Sequence, residues 1–203
     1  MRVAVLGAGK VGGTLGKKWA NAGHTVIFGS RDPGNEKMAA LLHAVQGDCS
    51  ADGMAEAILK GEVLVLTIPS AAVEAFVEQH AAGLNGKVII DATNKFGAPV
   101  INSVGLIQAK APAAKVFRAF NSLGWENFER PMYGQTRLDH FYCGPEGEQR
   151  EWIERLIADV GLNPVYVGDL DMLPHVDGLG AIWVALAFRQ GRGRRIAFKL
   201  LTE

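Results

Sequence analysis

The residues best placed to do chemistry come early in the chain. In "VAVLGAGKVGG", residues 3–13, Gly7, Gly9 and Gly12 form a G-x-G-x-x-G pattern. It directly follows an apolar β-branched run and directly precedes residues at helical spacing, the context that such a loop requires. A strand, tight loop and helix in this order bare backbone N–H groups at the helix start, where the helix dipole favours phosphate. Gly7 suits the tight turn, Gly9 lets a pyrophosphate approach the backbone, and Gly12 lets the helix lie close to its strand. Ala8, Lys10 and Val11 complete the loop, and Lys10 is long enough to reach a phosphate. A dinucleotide site over Gly7–Gly12 is the expectation.

Which dinucleotide is bound depends on the end of the second strand, roughly 20 residues past the motif. There the sequence reads "TVIFGSRDPG". An acid at the strand end would hydrogen-bond both ribose hydroxyls and select NAD. A hydroxyl followed by a guanidinium would instead hold a 2′-phosphate and select NADP. Counting from Gly12 lands on Ser30 and Arg31, a hydroxyl donor and a planar charged fork. Asp32 directly precedes Pro33 and is expected to open the turn or cap the helix that carries Met38. NADP, as NADPH when reduced, is therefore the expected cofactor.

Ligands in open α/β sheets lie beyond the carboxyl ends of the strands. "LTIPS" places Thr67, Ile68 and Pro69 at one such end, and "DATNK" places Ala92, Thr93 and Asn94 at another. Both groups are expected on the nicotinamide side. "RAFNSLGWENF" brings Asn121 and Ser122 to a third strand end, where a second substrate would be met. His175, in "LPHVDG", is the one histidine near a cleft element. It could donate to an acceptor ring, or serve as a helix-entry residue beside Asp177. His80 falls on a helix stripe, His24 enters a strand, and His43 and His140 carry no partner signal. No His, Cys, Asp or Glu cluster has metal-ligand spacing, so no metal is expected.

The elements that must position these residues alternate. Strands are expected at Arg2–Leu6, Thr25–Phe28, Val63–Ile68, Val88–Asp91 and Val116–Phe120, with a short one in "DCSADG" and later ones at Leu138–Cys143 and Pro164–Val167. Helical stripes run between them. The pattern predicts an α/β chain of the Rossmann type, a doubly wound and mostly parallel sheet covered on both faces. After residue 170 the rhythm breaks into two expected helices separated near Gly191–Gly193. Residues 1–170 are read as the NADP-binding part and 171–203 as a small helical extension of one continuous domain, completing the second-substrate pocket.

The chain has 203 residues, of which 48% are hydrophobic, and 21 basic residues balance 21 acidic ones. A neutral chain gives no electrostatic argument for nucleic acid or an anionic membrane surface. The run "RQGRGRR" reads as a solvated turn. Cys49 and Cys143 read as reduced thiols of a cytoplasmic protein. The first residues do not read as a signal peptide, and no uninterrupted apolar run approaches the roughly 20 residues that span a bilayer. No membrane partner is expected.

Together, "VAVLGAGKVGGTLGKKWANAGHTVIFGSRDP", "EVLVLTIPS", "KVIIDATN", "RAFNSLGWENF" and the ending "GDLDMLPHVDGLGAIWVALAFRQGRGRRIAFKLL" resemble the deazaflavin (factor 420)-dependent NADP oxidoreductases over nearly the whole chain. The resemblance implies a Rossmann domain and an NADP 2′-phosphate held at Ser30 and Arg31. It also implies hydride exchange between nicotinamide and a stacked deazaflavin (F420) or flavin ring, and a homodimer. A similar domain forms the cytoplasmic part of membrane ferric reductases. Such a reaction partners the protein with a small-molecule redox acceptor and asks for ring positioning rather than a catalytic acid. Two other readings stand beside it: a small NADP-dependent hydroxyacid or imine dehydrogenase, and a non-catalytic NADP(H) sensor.

Overall fold

The computed structural model describes residues 1–203 and divides them into two compact units, 1–116 and 117–203. This division falls inside a strand, whereas the sequence rhythm changes at residue 170.

The first unit alternates strand and helix: β1 (Arg2–Leu6), α1 (Lys10–Asn21), β2 (Thr25–Ser30), α2 (Glu36–His43), β3 (Cys49–Gly53), α3 (Met54–Lys60), β4 (Val63–Leu66), α4 (Val73–Leu84), β5 (Val88–Asp91) and α5 (Val104–Lys110). The strand β6 (Lys115–Arg118) begins in this unit. The sheet order is β3-β2-β1-β4-β5-β6, with β2–β3, β1–β2, β1–β4 and β4–β5 all parallel. The order reverses direction at β1 and β4, and a switch point of this kind opens a crevice at the strand ends. Val3–Leu6 and Val63–Leu66 are buried throughout, which explains their unbroken apolar sequence: central parallel strands are covered on both faces. On α1, Leu15 and Trp19 point into that core and Gly16 lies against the ring of Phe28, 2.4 Å from where a Cβ would stand.

The short strand in "DCSADG" forms as β3, pairing with β2. The helix around Met38 is shorter than its apolar stripe: it ends at His43, only Met38 is buried, and Val45 lies beyond it. Helices α3 and α5 have only 7 residues each, too short for a stripe to be legible.

The second unit holds α6 (Trp125–Glu129), a two-residue hairpin β7 (Met132–Tyr133) and β8 (Thr136–Arg137), β9 (Asp139–Tyr142), α7 (Glu148–Val160), β10 (Asn163–Tyr166) and α8 (Leu173–Val184). Strands β9 and β10 pair in parallel, and Arg118 bridges Cys143 in the antiparallel sense. Helix α7 buries Ile153, Leu156, Ile157 and Val160, the stripe read from the sequence, and stops at Gly161 in a left-handed turn (φ 99°).

Three expectations fail in this unit. Of the two terminal helices, only the first forms. After Arg189 the chain runs on without helix, because its backbone groups find partners elsewhere: Trp183 Nε1 donates to Ile196 O at 2.9 Å, and Leu200 N donates to Asp139 Oδ2 at 2.6 Å. The arginines of "RQGRGRR" are not simply a solvated turn. Arg194 Nε donates to Glu126 Oε1, and Arg195 reaches Glu126 O at 2.9 Å and Arg130 O at 2.8 Å, so the tail is latched onto α6. Burial works to raise the Glu126 pKa, but the bond from Arg194, a backbone bond and the charges of Arg194 and Arg195 together outweigh it and hold the carboxyl below its usual range.

The third failed expectation concerns length. The helical run Leu170–Arg189 covers 20 residues with a mean hydropathy of 1.2, long and apolar enough by length and composition to cross a membrane. Counting uninterrupted apolar residues missed it, because Asp171, His175, Asp177 and several glycines interrupt the run without lowering its mean far. Asp177 is nonetheless turned inward, paired with the fully buried Arg118 at 2.8 Å.

Candidate functional site

At the switch point the glycine loop opens a cleft of about 760 Å³, within the ~300–1,000 Å³ usual for small-molecule sites. Gly7, Ala8, Gly9, Lys10 and Val11 form one wall, Ser30, Arg31 and Asp32 another, and Thr67, Ile68 and Pro69 a third.

The three glycines differ in what constrains them. Gly7 has φ +108°, a conformation that side chains rarely adopt, and its N–H donates to Gly29 O at 3.1 Å. A Cβ on Gly12 would stand 2.0 Å from Gly7 O and 2.5 Å from Thr67 Oγ1, so this glycine sets the contact of helix with strand. A Cβ on Gly9 meets nothing within 4 Å and would project into open space. Gly9 is also the residue that caps α1 and, having no side chain, makes no side-chain cap bond, and the first turn contains no acid. The start of α1 can thus present N–H groups to an anion. A dinucleotide pyrophosphate fits this arrangement: a helix start, room at Gly9, and no negative side chain on the first turn.

At the end of β2, Ser30 is half-buried and Arg31 exposed. Ser30 Oγ accepts from Asp32 N at 3.2 Å and lies 3.1 Å from Asp32 O, so the hydroxyl is held at the strand end by a local turn. Asp32 does not cap α2. That role belongs to Asn35, whose Oδ1 accepts from Met38 N at 3.0 Å, while its Nδ2 bonds Asp32 O. The reason is spacing: Asn35 immediately precedes the first helical residue, and Asp32 stands three residues too early. Asp32 and Asn35 both line the cleft, as does Met54 from the start of α3. Asn35 and Met54 were missed, although an Asn followed by Glu-Lys-Met is a recognisable helix start.

Thr67 ties the third wall to the loop, donating from Oγ1 to Gly7 O at 2.7 Å. At the next strand end, Ala92 and Thr93 are buried and Asn94 is half-buried, and none of the three lines this cleft. The Thr93 hydroxyl donates to Asp91 Oδ1 at 2.6 Å, and Ser103 N donates to the other carboxylate oxygen at 2.6 Å. Asp91 thereby fixes the turn after β5.

In the second unit Asn121 and Ser122 are both buried, and Asn121 Nδ2 lies 3.3 Å from Asp177 Oδ1 and 3.4 Å from Val176 O. The turn that carries them begins at Phe120, a non-glycine residue at φ +59°. His140 supports that turn: its Nε2 accepts from Phe120 N at 2.6 Å and its ring stacks on Phe120 with centroids 4.8 Å apart. Burial pushes the His140 pKa down to about 3, so the ring stays neutral with Nε2 as acceptor. His175 is exposed on α8, and Asp177 turns to Arg118 instead. Sequence reasoning missed Arg118, Asp177 and His140. A lone arginine in the apolar strand "KVFRAF" is the one signal that could have raised the first.

Residues 2–95 match the family model described as NADP oxidoreductase, coenzyme F420-dependent. The F420-dependent NADP reductase of Methanothermobacter marburgensis is 40% identical over 99 residues, 46% of this chain and 44% of that protein. The metalloreductase STEAP3 of Rattus norvegicus is 22% identical over 88% of this chain and 36% of that protein. The chain therefore spans less than half the length of these curated relatives. A crystal structure of a candidate F420-dependent NADP-reductase from Arthrobacter sp. FB24 covers 100% of both chains with a TM-score of 0.84 at 23% identity, which speaks for the shared fold. The likeness seen in "GAGKVGG", "GSRDP" and "LTIPS" is thus a match to the F420-dependent NADP oxidoreductase family over residues 2–95, on a chain that has the Rossmann-type fold throughout its first unit.

Proposed function

We propose that this protein is an NADPH-dependent oxidoreductase that passes hydride between NADPH and a flat-ring acceptor, a deazaflavin of the F420 type or a flavin. The observation that carries the reading is one cleft holding both the glycine-loop start of α1 and the Ser30–Arg31 pair at the end of β2. The family match and the name of the Methanothermobacter relative support the same cofactor. When bound, NADPH supplies a hydride at nicotinamide C4. The chain's work is to bind and orient. Gly9 leaves space for the pyrophosphate, Ser30 and Arg31 hold the 2′-phosphate, and Thr67, Ile68 and Pro69 flank the reduced ring. Hydride transfer between two stacked rings needs proximity and exclusion of water more than an acid–base residue.

We further propose that the protein acts in the cytoplasm as a homodimer. The exposed Ile182 (51%) and Phe188 (56%) on the last helical run support a covered face there. Light scattering of the purified chain should give twice the mass of one chain, and a monomer would sink that part.

Stopped-flow NADPH oxidation against F420, FMN, FAD and ferric chelates tests the reaction. Turnover is expected with a ring acceptor. Tight NADPH binding with no oxidation by any of them would favour a sensor instead. Arg31→Ala is expected to weaken NADPH by about 1–3 kcal/mol, the worth of a hydrogen bond to a charged group, and to leave NADH nearly unchanged. Titration of both cofactors checks it, and equal losses would remove Arg31 from the 2′-phosphate.

A further inference from the structure

One charged group of the cofactor cleft has no part in holding the fold. Asp32 is the single acid among the residues that line the cleft. It is exposed, its carboxylate makes no ion pair or hydrogen bond, and it does not cap α2. We infer that Asp32 is a second reader of the cofactor's adenosine ribose, opposed to Arg31, and that it lets the same cleft take NADH as well as NADPH. The inference rests on the NADPH reading above.

The backbone places the carboxylate. Asp32 N donates to Ser30 Oγ at 3.2 Å, and Asp32 O accepts from Asn35 Nδ2. The main chain of Asp32 is thus held on both sides, just past the end of β2, while its carboxylate stays unengaged. Arg31 and Asp32 line the same cleft, and consecutive residues keep their Cα atoms about 3.8 Å apart. A ribose whose 2′ position meets the Arg31 guanidinium therefore comes within reach of Asp32 too.

The two side chains ask for opposite groups. A guanidinium only donates hydrogen bonds and carries a positive charge, so it selects a phosphate. A carboxylate only accepts, so it suits the two ribose hydroxyls of NADH, both of which can donate. It repels a phosphate that carries about −1.5 to −2 charges near neutral pH. An arginine alone would favour the phosphorylated cofactor strongly. With Asp32 beside it, each cofactor meets one favourable partner, and NADPH loses part of what Arg31 gives.

Fluorescence titration of the native protein and of Asp32→Asn with NADPH and with NADH tests the inference. The native protein is expected to bind both, NADPH the more tightly. Asp32→Asn keeps the shape of the side chain and removes its charge, at an exposed position where it has no bond to lose. It is expected to tighten NADPH and weaken NADH, so that the preference for NADPH rises by about tenfold, the scale of one hydrogen bond to a charged group. Asp32→Ala, which offers the ribose no hydrogen bond at all, is expected to shift the two affinities in the same opposite directions. A merely structural role would move both cofactors together. No binding of NADH by the native protein, or a preference that rises in neither variant, overturns the inference and leaves the cofactor reading standing. Failure of the native protein to bind NADPH overturns both.

Discussion

Gly9→Val should lose NADPH binding by at least about a hundredfold, some 2.7 kcal/mol, while the protein stays folded. The two halves of that result have separate causes. The backbone at Gly9 is extended (φ −72°, ψ −165°), a conformation valine adopts freely, and no atom lies within 4 Å of a Cβ built there. The fold therefore loses only the difference between glycine and valine at a helix cap, about 1 kcal/mol. The same open space is what a pyrophosphate must enter to reach the N–H groups at the start of α1. Gly12→Val is the contrasting control, since its Cβ would collide with Gly7 O in the folded chain itself. Thermal melts and NADPH fluorescence on both variants separate the effects. Undiminished binding by Gly9→Val would remove the pyrophosphate from this loop.

The second large effect is expected at Asp177. Its carboxylate accepts from Arg118 Nε at 2.8 Å, and the arginine side chain is 0% exposed. Asp177→Ala takes a carboxylate at 2.8 Å away from a buried guanidinium, a loss of about 3–5 kcal/mol. The melting temperature should fall by roughly 10 °C on the usual scaling for a chain of this size. The double variant Arg118→Met, Asp177→Leu removes both charges and should recover most of the loss, because an apolar pair of similar volume carries no uncompensated charge. An unchanged melting temperature in Asp177→Ala would show that the pair contributes nothing. A double variant no better than the single would place the cost in packing instead.

These two positions also mark how far the sequence could be read. The glycine loop and Ser30–Arg31 were legible because each sits in a contiguous motif at a fixed distance from the other, and parallel strands buried on both faces announce themselves as apolar runs. Arg118 and Asp177 lie 59 residues apart, and nothing in a linear pattern joins them. Met54 and Asn35 enter the cleft from the starts of short helices that show little periodicity: α3 buries only Ala57 and Ile58, and α2 only Met38. The missing terminal helix shows another limit. Ile196, Ala197 and Leu200 keep helical spacing, but tertiary partners for their backbone outweigh local propensity, which is a weak prior. His140 gave no signal because its partner is a backbone N–H forced into place by the left-handed turn at Phe120.

The bond from Thr67 to Gly7 O has a kinetic consequence. It fastens the wall after β4 to the glycine loop, and Gly7 is fastened in turn to β2 through Gly29. The surfaces that would meet the two ends of the dinucleotide are therefore parts of one stiff piece before any ligand arrives. Little ordering is left for the encounter, so association should proceed in a single step whose rate rises linearly with cofactor concentration, with no slower closing phase behind it.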